Sequence, residues 1–182
     1  MTGGIDLSVG SVAAFTSVVA AYLSPNGIQV ALPIAILAGA AFGAVNAFFI
    51  IAMRIPPFIA TLATMLGAKG GALIISGAET IGVDWGSNFT KLGLEKAFGV
   101  LPWTILIVLL LALVLWVILE KTSIGRTVLA IGGGEEASIL MGLRVNRAKA
   151  FAYILSGACA GLAGVFLASG FGAGQPLEGV GW

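Results

Sequence analysis

Long runs of apolar residues with no charge among them leave this chain very few ways to fold. Leu7 to Leu23 gives 17 such residues, Ile28 to Met53 gives 26, and Leu101 to Leu119 gives 19. Two further apolar runs are less pure: Pro56 to Ile75 is broken by Lys69, and a run from about Phe151 to Phe171 is rich in small residues. A helix that crosses a bilayer needs ~20 mainly apolar residues, with a range of about 17–25. Inside hydrocarbon each backbone N–H and C=O must be paired within its own segment or in a closed barrel. The runs are about twice the length of barrel strands and do not alternate polar with apolar. The expected fold is therefore all-α, a polytopic membrane bundle of about five spans.

Composition agrees. Apolar residues make up 59% of the chain and charged residues 9%, with a mean hydropathy of +1.09. Soluble domains are usually about 45–50% apolar and about 25% charged. The net charge of +1 gives no basic surface for a nucleic acid. Histidine, the commonest general base and metal ligand, is absent, and Cys159, the only cysteine, cannot form an internal disulfide. No catalytic residue and no metal site is assigned.

Charge sets the topology. Lys121, Arg126, Arg144, Arg147 and Lys149 place five of the nine basic residues in segment 120–149. Segment 76–100 holds only Lys91 and Lys96, against Glu79, Asp84 and Glu95. The positive-inside rule then places 120–149 in the cytoplasm and 76–100 outside. Counting back, Arg54 falls inside and Ser24 to Gly27 forms a short outer turn. Residues 1–182 read as one transmembrane domain, and the bare ends, Met1-Thr2-Gly3-Gly4 and Gly179-Val180-Gly181-Trp182, suggest part of a larger bundle.

The cytoplasmic segment carries the most distinctive pattern. Gly132, Gly133 and Gly134 are expected to break the helix, and Glu135 and Glu136 suit the first turn of a new one, where the helix dipole favours negative charge. Gly142 would end that helix after about two turns. So short a helix is unstable alone; it packs against its own domain or docks into a cytoplasmic partner. The glycines are not a phosphate cradle, because no G-x-x-x-x-G-K-[ST] follows them and two glutamates stand where a phosphate would lie.

Glu136-Ala137-Ser138-x-x-x-Gly142 resembles the EAA-x-x-x-G loop of ATP-binding-cassette (ABC) importer permeases. Gly4-Ile5-Asp6-Leu7-Ser8-Val9-Gly10-Ser11, Pro56-Pro57-Phe58-Ile59-Ala60-Thr61-Leu62 and Ile124-Gly125-Arg126 are similar to segments of the branch that imports ribose, xylose and related sugars. The resemblance covers nearly the whole chain, with Ser138 standing where the motif has alanine. It implies a permease subunit of the bacterial inner membrane that works as a dimer. A periplasmic sugar-binding protein would deliver the solute. A separate cytoplasmic ABC subunit would hold ATP and Mg, with no cofactor on this chain. It also implies a coupling helix around Glu136, Ala137 and Gly142, entered through Gly132 to Gly134, with Arg126 nearby to meet acidic groups of the ATPase or phospholipid.

Polar residues inside the membrane are candidates for the translocation path. Asp6 suits a sugar's hydroxyls or, more plainly, the N-cap of the first helix. Asn46 binds either sugar or a neighbouring helix. Ser8, Thr61 and Thr64 complete the set, although threonines in helices commonly bond back to their own carbonyls. Lys69 is expected to snorkel outwards, and Trp103 and Trp116 to anchor the fourth span at the interfaces. Gly39/Gly43, Gly157/Gly161 and Gly170/Gly174 permit close helix packing without naming an interface. Competing readings are a related permease for branched-chain amino acids or nucleosides, a gradient-driven transporter, an intramembrane enzyme, and an inert remnant.

Overall fold

A computed structural model describes residues 4–97 and 101–176; Gly179 to Trp182 lie outside them. Eight helices follow in order: α1 (Val9–Leu23), α2 (Ile28–Ile51), α3 (Pro57–Ser76), α4 (Lys91–Leu94), α5 (Trp103–Lys121), α6 (Ser123–Gly133), α7 (Glu135–Leu140) and α8 (Val145–Phe171). Four two-residue strands close short ladders: β1 (Ile81–Gly82) with β4 (Ala173–Gly174), and β2 (Lys96–Ala97) with β3 (Leu101–Pro102), both antiparallel. The fold is the all-α membrane bundle expected.

Four helices, α2, α3, α5 and α8, are long and apolar enough to cross a bilayer. The first expected span is shorter than its apolar run. α1 has 15 residues, about 22 Å at ~1.5 Å per residue, against ~30 Å of hydrocarbon. Gly4 to Leu7 precede it without helical structure. Irregular backbone at membrane depth is tolerated where protein covers it, and α1 is the most enclosed helix, with Val12, Val18, Ala20 and Ala21 all buried. The last span starts earlier than its apolar run, at Val145, so Arg147 and Lys149 belong to a helix and not to a loop.

The centre of the bundle is the α2–α8 crossing. Gly39 and Gly43 on α2 meet Gly157 and Gly161 on α8, backbone against backbone. A Cβ on Gly161 would lie 2.6 Å from the Ala35 carbonyl oxygen, and one on Gly39 would lie 2.9 Å from Gly161 Cα. The two small-residue pairs read separately in the sequence are thus halves of one interface. α1 fits beside it, with Gly164 of α8 against Ala13 and Thr16, and α3 closes the other side through Val12, Ala68 and Ala160. Alanine dominates because lipid supplies no hydrophobic drive between helices, so association relies on close packing.

Segment 77–97 is stitched over one end of the bundle. Phe89 is fully buried among Ala20, Ala31, Val165 and Ala168. Asp84 N donates to Ser24 Oγ at 2.8 Å, and Asn88 Oδ1 accepts from Ile28 N at 3.0 Å, supplying the first turn of α2 with an acceptor. The Ser24–Gly27 turn, segment 77–97 and Gly172 therefore share one end, as the charge count required. At the other end, α2 stops in a left-handed Arg54 (φ 57°), with Ile55 N donating back to the Phe49 carbonyl. Pro56 and Pro57 then start α3.

α5 stands apart. None of its residues is buried, although it is the most hydrophobic helix. Trp103 and Trp116 are both half-exposed near its two ends, where interfacial anchors belong.

Two expectations follow. Gly157→Leu should destabilise the bundle by about 1–3 kcal/mol or more, the range for overpacking. Gly170→Leu, whose Cβ would meet open space, should be tolerated; equal unfolding midpoints in detergent would refute this contrast. In a Cys159→Ser background, a membrane-impermeant maleimide should label Ser87→Cys in intact cells and Arg147→Cys only after lysis.

Candidate functional site

The intramembrane polar residues converge. Gly4 to Leu7 approach α1 without helical structure: Ile5 and Leu7 are exposed, Asp6 is half-buried and Ser8, at the helix start, is buried. Ser8, not Asp6, is the N-cap residue of α1, and its side chain makes no cap bond. Asp6 lies two residues before it and accepts from Ser8 N at 3.0 Å and from Ser8 Oγ at 2.6 Å. The N-cap reading of Asp6 is therefore replaced by an Asx turn.

From Ser8 the bonds run across the bundle. Asn46 Nδ2 donates to Ser8 Oγ at 2.9 Å, and the Thr64 hydroxyl donates to Asn46 Oδ1. Asn46 and Thr64 are both buried. On the other side, Ser156 Oγ donates to Asp6 Oδ2 at 3.3 Å. Thr64, Asn46, Ser8, Asp6 and Ser156 thus form one chain joining α3, α2, the approach to α1, and α8. Every hydroxyl and amide donor in it points toward the Asp6 carboxyl. Asn46 bridges helices through both ends of its amide. Thr61 stands apart from this chain: its hydroxyl lies 2.9 Å from the Pro57 carbonyl oxygen and 3.3 Å from that of Ile5. Ser156 and Tyr153, which flank Asp6 from α8, were missed in the sequence. They sit in an apolar helix pattern, and only the fold brings them to residue 6.

The cytoplasmic end differs in one respect from expectation. Gly132 and Gly133 do not break the helix; α6 continues through both and ends at Gly134 (φ 167°, ψ 112°). Glycine inside a helix costs about 1 kcal/mol relative to alanine. Here Val128 and Ile131 of α6, buried against Val145 and Ala148 of α8, hold the last turns in place. α7 follows directly and ends before Gly142, whose left-handed φ of 74° turns the chain into α8. Segment 120–149 is therefore mostly helical.

Glu135 and Glu136 have different settings. Lys149 Nζ of α8 holds both Glu135 carboxylate oxygens at 2.6 Å, with the lysine only 15% exposed. Ser138 is buried and its hydroxyl bonds the Gly134 carbonyl. Glu136 and Ala137 face outward with Ile139, Leu140 and Met141, and Leu140 is 89% exposed. Arg126 is exposed on α6 and forms no ion pair among the described residues. Between α7 and the α2–α3 corner lies a cavity of about 700 Å³, lined by Arg54, Pro57, Ile131, Glu135, Asn146 and Lys149.

Asn46→Leu would remove both inter-segment bonds of the amide, the one to Ser8 Oγ and the one from the Thr64 hydroxyl. The expected loss is ~0.6–2 kcal/mol, the range for hydrogen bonds between membrane helices, read as a lower midpoint in detergent unfolding. An unchanged midpoint would show the network to be energetically idle.

Comparison with known proteins supports the same reading. The family described as "Branched-chain amino acid transport system / permease component" matches residues 1–182. The chain is 36% identical over 189 residues to the ribose import permease protein RbsC of Escherichia coli K12, covering 100% of this chain and 58% of that protein. It is 37% identical over 184 residues to RbsC of Bacillus subtilis, covering 98% and 56%. It is 36% identical over 196 residues to the fructose import permease protein FruG of Bifidobacterium longum, covering 100% and 56%. The chain therefore spans under three fifths of each of these relatives. No solved structure matches it. Four membrane-length helices and bacterial permease relatives make this a multi-pass protein of the inner membrane. With its whole length matched, the chain belongs to the permease-component family of membrane transport systems.

Proposed function

We propose that the chain forms the central part of a permease that admits a monosaccharide through the bacterial inner membrane, driven by ATP hydrolysed elsewhere. The observation that carries this is the exposed α7. It is fixed to α8 through Glu135 and Lys149 and presents Glu136, Ala137, Ile139, Leu140 and Met141 outward. An isolated helix of six residues has no stability of its own, so one tied to α8 with its apolar side bare suits a docking element. A cytoplasmic ABC subunit, holding ATP and Mg, would seat on it. Closure of the ATPase pair would then push α7, and the Glu135–Lys149 pair would pass that movement to α8 and across the α2–α8 crossing. A periplasmic sugar-binding protein would dock at the end built by segment 77–97. A second permease copy would complete the assembly in the bilayer.

A monosaccharide is the favoured solute because the relatives are named for ribose, fructose, allose and arabinose. The family description names branched-chain amino acids, and this second solute class is tested by uptake of both in the same cells. The translocation path would use the group around Asp6, Ser8, Asn46 and Thr64, with Thr61 beside it. No bond in the solute is made or broken.

Glu136→Lys should abolish co-purification with the ABC subunit while membrane insertion stays intact. Unchanged co-purification would remove α7 from the coupling role.

A further inference from the structure

Beside Asp6 lies a small cavity of about 120 Å³, lined by Gly4, Asp6, Ala152, Tyr153 and Ser156. Its polar groups are only partly satisfied among the described residues. Tyr153 is 5% exposed, yet its hydroxyl has no hydrogen-bond partner among the described residues. A buried polar group without a partner is uncommon and calls for an explanation. Among the described residues Asp6 Oδ2 receives only the long 3.3 Å bond from Ser156, although a carboxylate oxygen takes two donors. The Tyr153 hydroxyl is directed to Gly4, where a Cβ would come within 2.5 Å of its oxygen. Gly4 also lines the 700 Å³ cavity, so the two cavities share a residue with no side chain.

We propose that this cavity is a hydroxyl-binding subsite for one edge of a polyol, the Asp6 carboxylate accepting from the ligand and the Tyr153 and Ser156 hydroxyls completing the contact. The inference rests on the sugar-permease reading and names the residues that would grip the solute on the cytoplasmic side of the Asn46 network. The volume is that of about four waters, enough for two neighbouring hydroxyls and too small for a whole sugar ring with its substituents. Its polar lining consists of one carboxylate and two hydroxyls. A hard cation takes about six oxygen ligands, which this cavity does not provide. Neighbouring hydroxyls match it better, because each both donates and accepts.

The test uses membranes holding the full-length permease. A water-soluble carbodiimide with a glycine ester should tag the Asp6 carboxyl, read by mass spectrometry of its peptide. D-ribose should reduce tagging about five-fold once its concentration reaches about four times its Kd. Cyclopentanol, similar in ring size with one hydroxyl, should not. Tyr153→Phe and Ser156→Ala should each abolish protection while Asp6 stays reactive, and Ser156→Thr should retain it. Tagging that ignores D-ribose, equal protection by cyclopentanol, or an Asp6 that never reacts would overturn the subsite. Uptake by the assembled importer separates the two readings. Protection without any monosaccharide uptake removes the transport function and leaves the subsite, whereas uptake without protection removes the subsite alone.

Discussion

The close crossing of α2 and α8 organises the rest of the structure. Two helices far apart in sequence touch through glycine backbones at Gly39, Gly43, Gly157 and Gly161. That proximity leaves a groove which only small side chains can fill, and α1, rich in alanine and serine, fills it. The same proximity brings Ser156 to the Asp6 carboxyl and Tyr153 to Gly4. A bundle with leucine at these positions would hold its helices wider apart. The polar chain from Thr64 to Ser156 would then lose its reach, because hydrogen bonds weaken steeply beyond about 3.2 Å.

The two ends of the bundle are built on different principles. At the end bearing segment 77–97, loop and turn side chains tie the parts together: Asn88 supplies an acceptor to Ile28 N at the start of α2, and Ser24 supplies one to the loop amide of Asp84. At the cytoplasmic end the parts are joined more loosely, through one ion pair, a short apolar cluster and two glycine turns.

Much of this was legible in the residues. Apolar runs located the spans because lipid forbids unpaired backbone, and basic residues set the expected orientation. Gly142 was legible as a helix end because few other residues adopt a left-handed conformation easily. Three features were not. The short α1 reads as a span because burial in protein and burial in lipid select the same residues. Gly132 and Gly133 read as breakers because local propensity does not include the burial of Val128 and Ile131 that outweighs it. The site around Asp6 was half visible: Asp6, Ser8, Asn46, Thr61 and Thr64 stand out as polar residues in apolar runs. Tyr153 and Ser156 join it only through the pairing of distant helices.

That separation also sets a timetable for biogenesis. α2 enters the membrane early and α8 emerges last of the helices described here. At about 5–20 residues per second of synthesis, the glycine face of α2 lies open to lipid for several seconds before its partner arrives. During that interval Asn46 has no α8-braced neighbours and must rely on Ser8 and Thr64, both already inserted. The bonds of Asn46 therefore belong wholly to the part of the bundle made first, and the glycine crossing to the part made last.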